Sequence, residues 1–186
     1  MNLIKWVADM KRVVLILLAW MIFLIPARGQ ENDKRIVVDC QTPGTLSTLI
    51  TYVQQQNVEE LYVSGYINKT DIQFVNRVIE FGNLNVVDLG DATSTDSYIT
   101  FDFRRPSVWD EEKQEDQCTN PVHKISMPKT DEFWLSLGGY AWVDTIQINS
   151  SVVVRANSIV NGPARALKIV LGEGVEKICN GAFVNE

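Results

Sequence analysis

One short apolar pattern, apolar-x-x-apolar-x-apolar, occurs five times along this chain of 186 residues. Successive copies begin 26, 38, 21 and 23 residues apart. The apolar positions of the copies are Val58, Leu61 and Val63; Leu84, Val87 and Leu89; Val122, Ile125 and Met127; Val143, Ile146 and Ile148; and Ala166, Ile169 and Leu171. A recurring pattern constrains the fold strongly, because each copy is one structural unit that stacks on the next.

Spacings in the low twenties are typical of leucine-rich-repeat solenoids, in which each copy gives one strand to a shared parallel sheet. The predicted fold class is therefore α/β, with a short parallel sheet. Apolar residues at helical spacing predict helices in the first two repeats. One runs from Leu46 to about Gln56 behind a Thr45 N-cap, and the other covers residues 72–79 behind a Thr70 cap. The later repeats are predicted to be irregular.

Residues 13–25 form an unbroken apolar run that follows two basic residues and precedes the small residues Ala27 and Gly29. This layout predicts a secretory signal peptide over residues 1–29. Met10 is a second candidate start, because it begins a cleaner basic stretch. A membrane anchor is the alternative, although thirteen helical residues rise only about 20 Å against roughly 30 Å of hydrocarbon.

Removal of the signal would leave 157 residues with a net charge of −9. An acidic exported domain repels nucleic acid and anionic lipid, so we expect neither a nucleic-acid partner nor a stable membrane span after cleavage. The remainder is predicted to comprise an N-terminal segment with two repeats (30–93), an acidic insertion (94–121) and truncated later repeats (122–186).

Three cysteines remain, Cys40, Cys118 and Cys179, and an odd count leaves at least one thiol without a partner in the same chain. Export to an oxidising compartment permits a disulfide, with Cys40 and Cys118 as the candidate pair. Buried free thiols in the repeat core are the equal alternative.

Residues that could carry chemistry are sparse. His123 is the single histidine and cannot complete a metal site or a catalytic triad with a second one, so we interpret it as an ordinary polar residue. The acidic run 110–116 lacks the spacing of a calcium loop and is interpreted as a solvated loop. We therefore predict no catalytic residue, no cofactor and no metal.

Three tryptophans allow different interpretations. Trp142 and Phe183 occupy matching positions of two repeats, which favours core packing. Trp109 and Trp134 have no such match, and packing is preferred over a contact role for both.

The stretch from Glu173 to Phe183 resembles the BspA-like leucine-rich repeats of bacterial surface proteins, which typically read L-x-x-I-x-I-P-x-x-V-x-x-I-G-x-x-A-F. Segments around Leu61 and Val87 are also similar, and the resemblance covers roughly residues 40–93 and 122–184. It implies a bacterial protein that is secreted or displayed at the cell surface and mediates adhesion. Such arrays normally continue and end in a cap, so we expect a fragment or a short relic that self-associates through an uncapped end.

In each strand, the residue between the last two apolar positions points away from the core. Stacking the strands aligns five of these residues, which are the predicted binding residues: Tyr62, Asp88, Ser126, Gln147 and Val170. A flanking set adds Glu60, Val86, Lys124, Thr145 and Lys168. The predicted function is a binding module for a protein or glycan on a host or neighbouring cell. The alternatives are a structural N-terminal segment of a longer surface protein and, less favoured, an exported hydrolase.

Overall fold

A computed structural model of the chain describes six stretches, all within one unit that spans residues 33–186: 34–105, 107–118, 120–139, 142–148, 153–154 and 165–178. The predicted signal peptide lies outside the described residues, as do Cys179 and Phe183.

The described residues contain twelve strands and three helices. The strands are β1 (Arg35–Cys40), β2 (Glu60–Ile67), β3 (Val86–Ser94), β4 (Tyr98–Arg105), β5 (Ser107–Asp110), β6 (Glu115–Cys118), β7 (Val122–Met127), β8 (Glu132–Gly139), β9 (Trp142–Ile148), β10 (Val153–Val154), β11 (Arg165–Leu171) and β12 (Lys177–Ile178). The helices are α1 (Leu46–Leu49), α2 (Tyr52–Asn57) and α3 (Lys69–Phe81).

Six strands form a parallel sheet whose spatial order, β1-β2-β3-β7-β9-β11, follows the order of the chain. A second parallel sheet has the order β4-β8-β10-β12. From β3 onward the chain alternates between the two sheets, apart from the antiparallel hairpin β5–β6. Helices take the place of the second sheet's strands in the first two turns of the chain, and α3 packs against β4. The architecture is therefore α/β with a parallel sheet, as the spacing predicts.

The later repeats, predicted to be irregular, contain the strands β8, β10 and β12 among their described residues, and β10 pairs with both of the others. Two of these strands have only two residues each. A pair of residues shows no alternation that a sequence pattern could reveal.

The repeated apolar pattern is the core of the molecule. In the first four copies, every apolar position is buried. These side chains join the inner residues of β4 and the apolar face of α3 in one cluster. In β4, the buried Ile99 and Phe101 alternate with the more exposed Tyr98, Thr100 and Asp102. β4 falls within the predicted insertion (94–121) and pairs with β8 along its whole length.

The first predicted helix is two short helices. Ile50 is extended, and Thr51 starts α2 with a capping box in which its side chain accepts from the Gln54 N–H. Thr45 makes no side-chain cap, because its hydroxyl donates to the Thr42 carbonyl instead. The sequence Thr-x-x-Gln carries the signal for this second start.

The second predicted helix is present as α3, but Asn68 is its N-cap instead of Thr70. The Asn68 side chain accepts from the N–H groups of Thr70 and Asp71, at 2.9 and 3.3 Å. Asp71 returns a bond to the Asn68 N–H at 3.0 Å, which completes a second capping box. Asn and Thr are both good N-caps, so the sequence alone does not distinguish Asn68 from Thr70. The helix begins at the earlier of the two, one turn before Ile72.

The hairpin β5–β6 is inserted between β4 and β7, and the two sheets differ in how many residues are paired across this insertion. In the first sheet, only Val86–Asp88 pairs with Lys124–Ser126, followed by an isolated bridge between Thr93 and Lys129. β3 also carries an irregularity against β2, since Ser64 pairs with Asp91 although Tyr62 pairs with Asp88. In the second sheet, β4 and β8 pair over eight residues.

The candidate disulfide is absent, because Cys40 and Cys118 are both free. Cys40 ends the edge strand β1, whereas Cys118 is followed by β7, three strands further along the sheet. Strands lie about 4.8 Å apart, so this separation exceeds the reach of a disulfide. The Cys40 thiol is buried and donates to the Thr42 carbonyl at 3.3 Å.

Candidate functional site

The five predicted binding residues lie in one row across the first sheet. Tyr62 pairs with Asp88, Asp88 with Ser126, Ser126 with Gln147, and Gln147 with Val170. Sequence reasoning missed Val37, which pairs with Tyr62 and is exposed at the sheet edge. We call these six residues the outer row.

The predicted flanking residues form a second row beside it. Their register runs without interruption through Glu60, Val86, Lys124, Thr145 and Lys168, and Arg35 of β1 extends it by one strand. We call this set the flanking row. Arg35 and Val37 were missed because β1 lacks the repeated apolar pattern, although the run Ile36-Val37-Val38 indicates a strand.

Ser126 is the exception within the outer row, since only 1% of its surface is exposed. Its short side chain lies between the longer side chains of Asp88 and Gln147 on the adjacent strands. Ser126 therefore offers almost no surface to a partner.

Tyr62 is held in place by two neighbours from the flanking row. Its hydroxyl donates to Glu60 Oε2 at 3.2 Å, and the Arg35 guanidinium lies 4.7 Å from the centre of its ring. Arg35 Nε also lies 3.8 Å from Glu60 Oε2. Burial and the Glu60 carboxylate raise the pKa of the Tyr62 hydroxyl above its ordinary value, so the hydroxyl remains a donor.

Asp88 forms the second charged group of the face. Its carboxylate accepts from Lys124 Nζ and from the Gly90 N–H, each at 3.0 Å. Burial alone would raise the pKa of Asp88, but the hydrogen bonds from Lys124 and Gly90 hold this pKa below its ordinary value. The carboxylate is therefore ionised and oriented before any partner arrives.

A shorter third row, Asp39, Ser64 and Asp91, crosses the first three strands beyond Tyr62. The Ser64 hydroxyl donates to Asp39 Oδ1 at 3.0 Å. Gly65 follows with φ of +85°, and a Cβ there would lie 2.4 Å from the Cys40 carbonyl oxygen. Only glycine fits, because β1 and β2 approach so closely at this end of the face.

The other residues that could carry chemistry have structural partners. His123 Nδ1 lies 2.7 Å from Asp144 Oδ2 in a largely exposed pair. Within the acidic run, Asp110 accepts from the N–H groups of Lys113 and Glu112, which lowers its pKa and closes the turn of the hairpin β5–β6. No group of three His, Cys, Asp or Glu side chains that could hold a metal occurs among the described residues.

The tryptophan predictions need correction. Trp142 begins β9 and is 38% exposed, so it is not a core residue. The strand register aligns Ile178 with Phe133 through Val154, an offset of 45 residues, whereas matching Trp142 to Phe183 requires 41. Trp109 and Trp134 are also exposed rather than packed.

No known family model, no curated protein and no solved structure matches the chain. Within the described part of the chain, no helix has the length and apolar character needed to cross a membrane.

Proposed function

We propose that the chain is a secreted or cell-surface binding module of the leucine-rich-repeat type, which recognises a protein or glycan on a host or neighbouring cell through its outer row. The observation that carries the proposal is the unbroken register of the outer row across six strands. A regular array of side chains on a rigid sheet is how repeat proteins build extended binding surfaces.

The inner ladder supports the repeat assignment. Leu61, Val87, Ile125, Ile146 and Ile169 occupy the same position of successive copies and are neighbours across the sheet. The first four are completely buried and Ile169 packs against the same core. Equivalent residues in adjacent strands are the expected result of stacking one structural unit on the next.

The shape and electrostatics of the face favour binding of a macromolecule. Six strands spaced about 4.8 Å apart give the outer row a length of roughly 24 Å, which is an extended surface and not a pocket. Glu60 and Asp88 are held by Arg35 and Lys124, so these polar groups are oriented in the free protein. Preorganised groups bind more tightly, because less side-chain freedom is lost on association.

The resemblance to BspA-like repeats agrees with this proposal and adds adhesion and export through a signal peptide over residues 1–29. We propose binding in preference to catalysis, since Glu60 and Asp88 of the face are engaged with Arg35 and Lys124. The alternative is that the chain is a purely structural segment of a longer surface protein. The following experiment distinguishes this alternative from a binding function.

The test applies the purified, labelled protein to an array of extracellular-matrix proteins and cell-surface glycans. Tyr62→Ala removes the aromatic ring of the outer row and should weaken binding to any captured probe by about tenfold, the loss of roughly 1.4 kcal/mol. Tyr98→Ala is the matched control, because Tyr98 is an exposed tyrosine on the second sheet. Equal losses for both variants would exclude the outer row, and no captured probe would favour the structural segment.

A further inference from the structure

A groove of about 300 Å³ lies between α2 and the C-terminal half of α3, away from both rows. The buried side chains of Phe74 and Val78 line its base. Tyr52 of α2 and Phe81 of α3 also line the groove and are 72% and 80% exposed. Both rings are open to water and border the same groove, so both are available to contact a ligand.

The groove is fixed by contacts between the two helix ends. A Cβ at Gly82 would lie 2.6 Å from the Val78 carbonyl oxygen and 3.1 Å from that of Gln55, so glycine permits the close approach of α3 to α2. Asn83 Nδ2 donates to the Gln56 carbonyl at 3.2 Å across the same junction. The walls of the groove are therefore set by the fold and not by a ligand.

Two glutamine amides add polar groups with defined orientation. Gln56 Nε2 donates to the Tyr52 hydroxyl at 2.8 Å, and Gln55 Nε2 donates to the Ile50 carbonyl at 2.9 Å. Each amide keeps its carbonyl oxygen as an acceptor for a hydroxyl group.

Arg77 supplies a positive charge to this groove in a chain whose net charge is −6. It is exposed, and it forms no ion pair with any residue that the structure describes. A planar guanidinium binds a carboxylate through two parallel hydrogen bonds. Arg77 can therefore hold a carboxylate at this groove.

We propose that this groove binds a saccharide that carries a carboxylate, of the uronic acid type. The apolar face of a sugar ring matches Tyr52 and Phe81, its hydroxyls match the amides of Gln55 and Gln56, and its carboxylate matches Arg77. The groove is at the small end of ligand sites, which fits one sugar ring. The proposal is independent of the outer row, because no residue of that row lines the groove.

The test compares three probes, glucuronate, glucose and acetate, titrated into the isotopically labelled chain and followed by NMR chemical shifts. Glucuronate should bind with a Kd on the order of 1 mM, as expected for a ligand of this size. Glucose, which lacks the carboxylate, should bind about tenfold more weakly, and acetate alone should not produce saturable shifts. Shifts should be confined to residues 47–56 and 74–82.

Variants then assign the roles. Arg77→Gln should reduce glucuronate binding to the level of glucose and leave glucose binding unchanged, whereas Lys129→Gln, which removes an exposed charge elsewhere, should change neither. Phe81→Ser should weaken both sugars. Because Phe81 is 80% exposed, the variant should keep its fold, and a thermal melt checks this. Equal binding of glucose and glucuronate, saturable binding of acetate, or shifts outside the groove would overturn the proposal.

Discussion

Asp71 provides the sharpest test of how this fold is held together. The side chain is 1% exposed and accepts three backbone hydrogen bonds. Oδ2 accepts from the N–H groups of Gly44 at 2.6 Å and Asn68 at 3.0 Å, and Oδ1 accepts from that of Leu46 at 2.9 Å. One carboxylate therefore joins the loop after β1 to the start of α3, which lies more than 20 residues later in the sequence.

The expected loss of stability in Asp71→Ala can be estimated from the three backbone N–H groups that would lose their acceptor. The Leu46 N–H is buried and would lose its partner without gaining water, at about 2 kcal/mol. The Gly44 and Asn68 N–H groups are partly buried and can recover some hydration, at about 1 kcal/mol each. We expect a loss of about 4 kcal/mol in the free energy of unfolding, a large share of the 5–15 kcal/mol typical of a domain.

Urea denaturation measures this loss as a lower midpoint at an unchanged slope. Asp96→Ala is the matched control, because Asp96 also accepts a backbone N–H, that of Lys69 at 2.7 Å, but in an exposed position. It should cost about 1 kcal/mol or less. If the two variants lost similar stability, the three-bond junction at Asp71 would not hold the loop as we infer.

Three further predictions concern the sheet. Ile146→Asp should lower the free energy of unfolding by more than about 3 kcal/mol, because it buries a charge. Thr145→Asp, on the flanking row, should change it by about 0.5 kcal/mol or less. Equal losses of the two variants in urea denaturation would refute the register. Gly65→Ala should cost at least about 2 kcal/mol in the same assay, because φ is positive and the new Cβ meets the Cys40 carbonyl; an unchanged midpoint would contradict this. Because the pKa of Asp88 is lowered in the folded chain, its contribution is complete above the unfolded value near 4 and is lost as pH falls through the folded value. The stability difference between the native chain and Asp88→Asn, under about 1 kcal/mol, should shrink on acidification below pH 4, and a difference that grows would refute the assignment.

The first sheet could be predicted from the sequence because its information is local. Each copy of the apolar pattern marks two inward positions and the outward residue between them, and equal copies align in register. The outer row therefore followed from counting alone for Tyr62, Asp88, Ser126, Gln147 and Val170. The burial of Ser126 did not follow, because it depends on the size of neighbours on other strands.

Other features depend on contacts that no local pattern records. The three bonds of Asp71 join residues 25 and 27 positions away as well as its own cap, and the sequence indicates only an acidic residue in the first helical turn. The break between α1 and α2 left a readable signal in Thr51 and Gln54, but the apolar spacing across Ile50 continues the helical face and conceals it.

The groove at Tyr52 and Phe81 was missed for a related reason. The apolar periodicity of α3 identifies residues that face the core, whereas Phe81 is exposed at the end of the helix. Phe81 lies near α2 because Gly82 permits the close approach of the two helices. The sequence does not reveal this approach, because it depends on residues that are distant along the chain.

The uneven pairing between β3 and β7 gives this molecule a direction in which it bends most easily. The eight-residue ladder of β4 and β8 resists separation, whereas the first sheet is joined there by three paired residues and one isolated bridge. A bending force would therefore separate β3 from β7 in the first sheet before it separates β4 from β8 in the second. The ion pair between Asp88 of β3 and Lys124 of β7 joins the two strands at this point, so bending the molecule there would strain a contact of the proposed binding surface.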